Sequence, residues 1–241
     1  MREDIALPRA GGIDQVPRLY CAQQLRSVVV ADHLVMLDLA VGEYVVLDEI
    51  ATAMWQQLLL SPDERDIQTI AQKFSAAISV VATDMAGFAS EQMTARRLCP
   101  VRASEPARGA PTPYRWPSVA RAWWERTRAE RDLRSGFAAA YHDRTNPPAA
   151  RVNADACDPA DRVVAKFAAA ENFYPSRKAP LDCLPRSLAL VRFLRTAGWA
   201  AEHVIGVAMY PFQAHAWVEL SGKPIREGRT FTNRFTVIQR A

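Results

Sequence analysis

Cysteine is scarce in this chain, and what there is stands apart. Cys21, Cys99, Cys157 and Cys183 form no CxxC pair, which excludes a zinc ribbon and a dithiol redox motif. In a reducing compartment all four are expected as free thiols. Long apolar runs are lacking too: nothing approaches the ~18–20 residues that span a bilayer, and the run at 189–194 is broken by Arg192 and followed by Arg195. The opening MREDIALPRA has no basic start leading into an apolar core, so no secretory signal is read and a cytoplasmic location is expected. A G-x-x-x-x-G-K-[ST] loop is absent, so ATP is not expected to bind this chain. Metal ligands are equally thin. Asp155, Asp158 and Asp161 lack the glycine and closing glutamate of a calcium loop, and His33, His142 and His203 have no carboxylate or cysteine at ligand spacing. No metal is expected.

What is present reads as ordinary globular protein, 49% hydrophobic and 23% charged. The charge is unevenly placed. Residues 1–100 hold 8 Lys and Arg against 13 Asp and Glu, while residues 101–241 hold 22 against 13. Such a split suggests two modules. The arginines of the basic half are scattered along helical stretches without a finger or RNA-binding signature, so nucleic acid is not indicated. Between Pro100 and Pro117, Pro106, Gly109, Pro111 and Pro113 block helix and ladder alike. We therefore expect domains at 1–99 and 118–241 joined by a proline-rich linker at 100–117. No internal repeat is seen.

The first domain reads as α+β. Strands are expected at 19–24, 33–39 and 43–47, with Gly42 turning between the last two. Asp48 can cap a helix with Ile50, Met54 and Leu58 on one face; a second carries Ile67, Ile70, Ala71 and Phe74. A third is expected from a cap near Thr83, with Met85, Phe88 and Met93. Together these make a small winged-helix-like unit. Beyond the linker, Ser118 can cap a helix to about Ala140 whose apolar residues are Trp123, Trp124, Leu133 and Phe137. Asn146-Pro147-Pro148 breaks the chain, and Asp158-Pro159 looks like the cap and first turn of a helix through Val163, Val164 and Phe167. Another helix begins near Cys183 and stops at Gly198. Strands are expected at 201–208 and 214–220, with further short strands to the end.

The chemistry gathers in this second half. With Asp182 as cap, Cys183 sits in a helical first turn, where the positive end of the helix dipole is expected to lower its pKa. The alternative is an inert, buried cysteine. In AHAWVEL, strand alternation puts His215, Trp217 and Glu219 on one face. A thiol at a helix start followed by a strand histidine is the arrangement of papain-like and transglutaminase-like thiol enzymes, with His215 as general base. Glu227 can orient the imidazole if a three-residue loop pairs Leu220 with Pro224, which we expect; a two-residue loop would pair Leu220 with Lys223 and aim Glu227 at the wrong face. Glu219 is the reserve. The Cys183 N–H is a candidate oxyanion donor, with a second from residues 119–175.

DCLPRSLALVRFLRTAGW, AEHVIGV and PFQAHAWVEL resemble the transglutaminase-like domain of lasso-peptide leader peptidases. In that family a cysteine opens the helix, a histidine sits in H-[AS]-W-V-E, and an aspartate follows twelve positions later. The matching positions are Cys183, His215 and Glu227, the last a departure that is one methylene longer. Phe235-Thr-Val-Ile-Gln is similar to the family's closing strand. HLVMLDLAVGEYVVLDE and the helix around Asp84 resemble the winged-helix leader-recognition element related to small pyrroloquinoline-quinone biosynthesis proteins. The resemblance implies that a precursor's leader adds as a strand beside Glu43, Tyr44, Val45, Val46 and Leu47 and packs on Asp84, Phe88 and Glu91. It also implies cleavage by Cys183 and a partner ATP-dependent cyclase that closes the freed core; any ATP need would lie with that partner. Two other functions stay open: acyl transfer by the same Cys-His pair, and leader binding without catalysis.

Overall fold

The computed structural model describes residues 13, 16–102, 114–141, 158–175 and 182–241. Cys157, Asp155, His142, the break at 146–148 and most of the expected linker lie outside them. The chain divides into two compact units, one of Met1–Met36 with Tyr44–Glu105 and one of Leu37–Glu43 with Pro106–Ala241.

In the first unit, β2 (Leu25–Val30), β3 (His33–Asp38) and β4 (Glu43–Leu47) form a sheet in chain order, and β1 (Tyr20–Cys21) pairs with β5 (Leu98–Cys99). The sequence reading missed β2. Its hairpin to β3 turns through Ala31 and Asp32, both at positive φ, without the Asn-Gly signal such a turn usually carries. Asp48 does cap α1 (Glu49–Leu58), accepting from the Ala51 N–H. However, the buried face is Thr52, Met54, Trp55 and Leu58, and Ile50 is exposed. Helix α2 (Ile67–Lys73) is capped by Asp66. Helix α3 (Ile78–Thr94) begins five residues before the expected cap; Thr83 lies inside it, its hydroxyl donating to the Ser79 carbonyl. Trp55, Leu58, Ile70, Met85 and Leu98 share one core with Val45 and Leu47 against it.

In the second unit, α4 (Val119–Ser135), α5 (Phe137–Tyr141), α6 (Ala160–Glu171) and α7 (Cys183–Thr196) precede β6 (Ala201–Ala208), β7 (Gln213–Leu220), β8 (Lys223–Ile225), α8 (Arg229–Thr232) and β9 (Thr236–Arg240). The strands form an antiparallel sheet ordered β8-β7-β6-β9. Helix α7 packs on β6 and β7 and also touches α4 and α6, so every residue from Ser187 to Thr196 is buried. Gly198, at φ +90°, ends it, with the Trp199 N–H closing onto the Leu194 carbonyl.

Three expectations fail here. The helix from Ser118 does not reach Ala140: Gly136, at φ +130°, splits it into α4 and α5. Trp123 and Trp124 are half exposed, whereas Ala122, Glu125, Arg126 and Ala129 are buried. Alanines let the helices approach closely, and the charges are paired: Arg121 meets Glu125 at 2.8 Å and Arg126 meets Asp182 at 3.1 Å. Asp158 does not cap α6 but binds Lys166 at 2.6 Å, leaving Pro159 at the cap position.

Candidate active site

Cys183 opens α7, and its sulfur lies against β7, where the Ala216 N–H donates to it, as does that of Leu184. Asp182 stands at the cap position without capping; its carboxylate is turned to Arg126. The thiol is therefore not the lowered one the helix dipole suggested. Burial pushes it above its ordinary value, the nearby N–H groups offset this only in part, and the Asp182 charge adds to the rise.

Ala216 follows His215, so β7 brings the imidazole strand to the start of α7. His215 is opposite Gly206 on β6. Its ring meets Phe231 edge-on at 5.0 Å, and Phe235 lies 5.5 Å away. A side chain at Gly206 would collide with Phe235 and Trp217, so glycine there leaves room for this aromatic wall. Burial lowers the His215 pKa, Glu227 pulls it back up, and Arg186 lowers it further. Thiol and imidazole are both held toward their neutral forms, which is the starting state for proton transfer from sulfur to ring.

Glu227 Oε1 stands 3.5 Å from His215 Nε2. This is an ion-pair distance, longer than a formed hydrogen bond, and among the described residues Nε2 has no hydrogen-bond partner. The route to this geometry differs from the expected one. Leu220 pairs with Lys223 through the two-residue Ser221-Gly222 loop, the register expected to exclude Glu227. But β8 stops at Ile225, and Arg226 adopts φ +64°. That left-handed residue ends the alternation, so Glu227 escapes the face that strand register would have given it. Glu219 is unavailable as a reserve: it accepts from the Trp217 indole at 2.8 Å and pairs with Arg240 at 2.7 Å. Burial would raise its pKa, but these two partners outweigh it and the net shift is down.

Sequence reasoning missed the arginines. Arg186 and Arg226 line the same cleft as Cys183, Ala216 and Glu227. Glu171, at the end of α6, holds both. Their positions in sequence carry no signal of this, because the fold alone joins them. His203 also has partners the sequence did not reveal: it is fully buried between the Tyr141 hydroxyl at 2.6 Å and Ser187 Oγ at 2.8 Å. Ser187 donates to the Leu184 carbonyl, so it accepts from His203 Nε2–H, and Nδ1 accepts from Tyr141. His33 places Nδ1 at 2.7 Å from the Ala31 carbonyl. Cys21 and Cys99 lie in strands, the Cys99 thiol reaching the Val101 carbonyl at 3.1 Å. Among the described residues no group of His, Cys, Asp and Glu is placed to hold a metal, and no helix is long and apolar enough to cross a membrane.

In the first unit, β4 is a terminal strand of its sheet. Val45 and Leu47 pack into the core, while Val46 is exposed. On α3, Asp84 and Glu91 are exposed and Phe88 is half-buried against the core.

A thiol at a helix start, an imidazole on the adjoining strand and a carboxylate beside the imidazole are the kinds of group that thiol-dependent acyl transfer uses. The chain belongs to the transglutaminase-like superfamily, whose profile matches residues 116–240. The microcin J25-processing protein McjB of Escherichia coli is 40% identical over 57 residues, 24% of this chain and 27% of that protein. The chain thus matches about a quarter of the length of this relative. A solved structure, TbiB1 in complex with the TbiA(beta) leader peptide, covers 34% of this chain and 98% of its own at 20% identity, with a TM-score of 0.27.

Proposed function

We propose that this chain is the leader peptidase of a lasso-peptide pathway. The observation that carries the catalytic part is Glu227 set behind His215, on the strand that seats the Cys183 thiol. The name of its relative, a microcin-processing protein, supports the choice of substrate. His215 takes the proton from Cys183, and the thiolate attacks the carbonyl carbon of the last leader residue. Backbone N–H groups at the start of α7, with Cys183 first among them, face the developing oxyanion. The C–N bond breaks as His215 returns the proton to the leaving amine, giving a core peptide with a free N-terminus. Water, deprotonated by His215, then cleaves the thioester and restores the thiol.

The winged-helix-like first unit is the leader-recognition module in this reading. The leader adds along β4 at Glu43, Tyr44, Val45, Val46 and Leu47 and lies on the helix face of Asp84, Phe88 and Glu91. Val45 and Leu47 are committed to the core, so main-chain bonds to the alternate residues whose N–H and C=O face the open edge, with side-chain contacts from Tyr44 and Val46, supply the recognition. A partner ATP-dependent cyclase consumes the freed amine.

The test is mass spectrometry of a precursor incubated with this chain, its cyclase and ATP, comparing wild type with Cys183→Ala. Release of intact leader by the wild type alone is expected; equal cleavage by the alanine variant removes Cys183 as nucleophile. Membership of the transglutaminase-like superfamily favours one second reading, in which an amine replaces water at the thioester. Loss of ammonia or joined peptides in the same spectra would identify it.

A further inference from the structure

Two guanidinium groups reach the cleft around Cys183: Arg186 one turn into α7, and Arg226 just before Glu227. Both are already engaged. Glu171 meets Arg186 Nε through Oε1 at 3.1 Å and the Arg226 guanidinium through Oε2. All three side chains are partly shielded from water, so their charges act more strongly than on an open surface.

Glu227 is the competing carboxylate. It lines the same cleft and follows Arg226 in the chain. A carboxylate beside guanidinium groups makes charge-assisted, often bidentate bonds, stronger than its hold on a neutral imidazole at 3.5 Å. Were Glu171 uncharged, Arg186 and Arg226 would draw Glu227 away from His215. We infer that Glu171 is a positioning residue: its carboxylate occupies both arginines, reserves Glu227 for His215, and ties the start of α7 to the turn that carries Glu227. Helix α6 therefore contributes to the site without touching substrate. The catalytic consequence rests on the peptidase reading, whereas the effect on His215 does not.

The full-length chain is tested by proton NMR titration of the His215 ring, assigned with His215→Gln, beside steady-state cleavage of the precursor. The charged groups acting on His215 are Glu227 from the turn after β8 and Arg186 from α7; Trp217, Phe231 and Phe235 lie against its ring without charge. In Glu171→Gln the His215 pKa should fall by about one pH unit, and kcat should drop about tenfold with KM little changed. Removing one competing cation, in Glu171→Gln with Arg226→Gln, should restore most of both. Glu171→Asp keeps the charge and should titrate nearly as the wild type does. A His215 titration unmoved in Glu171→Gln overturns the inference, and so does a shift that Arg226→Gln fails to reverse, because general loosening would not be rescued by deleting a second side chain. A wild type that titrates as expected yet releases no leader would count against the peptidase reading alone.

Discussion

At the scale of single residues, the site rests on two opposed shifts. Burial raises the Cys183 thiol and lowers the His215 imidazole, so both are neutral at rest. Alkylation of Cys183 by iodoacetamide, followed at its own peptide by mass spectrometry, should therefore climb only above the ordinary thiol range. A fast plateau persisting below about pH 6 would mean a resting ion pair and would contradict this. The acid limb of cleavage should lie below 6.5, the ordinary value for imidazole. Glu227→Gln removes the group that raises His215, so it should move that limb lower still and reduce kcat about 10²-fold. His203 makes a separate prediction. Burial holds its pKa down to about 3 from an ordinary 6.5. Below about pH 6.5 the unfolded chain binds a proton that the folded chain refuses, so this stabilisation is complete above that pH and is lost as pH falls toward 3. The slope from this one group is about 1.4 kcal/mol per pH unit. Urea midpoints across that range should show it, and His203→Gln, though less stable outright, should flatten it.

At the scale of elements, the ends of strands decide more than their middles. β7 pairs with β6 over its whole length, but with β8 only at Val218, Glu219 and Leu220. The edge of β7 at Ala216 is thereby left for Cys183, and the left-handed Arg226 frees Glu227 from strand register. Opposite His215, a Cβ on Gly206 would lie 2.7 Å from Phe235 Cβ and 2.8 Å from the Trp217 ring. Gly206→Ala should lower stability by roughly 1–3 kcal/mol, the usual cost of overpacking. It should reduce cleavage as well, since Phe235 also walls His215; an alanine variant with unchanged melting temperature and activity would show the wall to be unimportant. The hairpin between β2 and β3 offers the opposite case. Ala31 and Asp32 hold positive φ without glycine. Replacing them with Asn-Gly should therefore raise the melting temperature, worth up to about 1 kcal/mol.

At the scale of the whole molecule, an acidic first half and a basic second half correspond to two units of different work in the proposed function. Leader capture raises the local concentration of the scissile bond, so damage to capture should appear in KM and leave kcat intact. Val46 is 40% exposed on β4, so Val46→Lys should fold normally. We expect its KM to rise at least tenfold with kcat kept, and added free leader to inhibit the wild type competitively. A fall in kcat with KM unchanged would remove β4 from leader capture.

By itself the sequence determined the elements whose signals are local. Asp48 before an apolar helix, Gly198 after one, the alternation of AHAWVEL, and a cysteine ahead of a proline-bearing first turn all depend on near neighbours, and α1, α7 and β7 follow from them. Turns without glycine hid β2, and a helix-breaking Gly136 passed unnoticed because five helical residues resume behind it. Tertiary structure alone decided what depends on enclosure and on distant partners. Enclosure reversed the expected shift of the Cys183 thiol. Packing turned the tryptophans of α4 outward and its paired charges inward. Folding joined Glu171 to Arg186 and Arg226, and Tyr141 to His203 and Ser187, across separations that no periodicity spans. Glu227 shows the division most plainly: its residue type was legible as a partner for His215, but its direction was set by the backbone of Arg226, whose left-handed turn no local pattern announces.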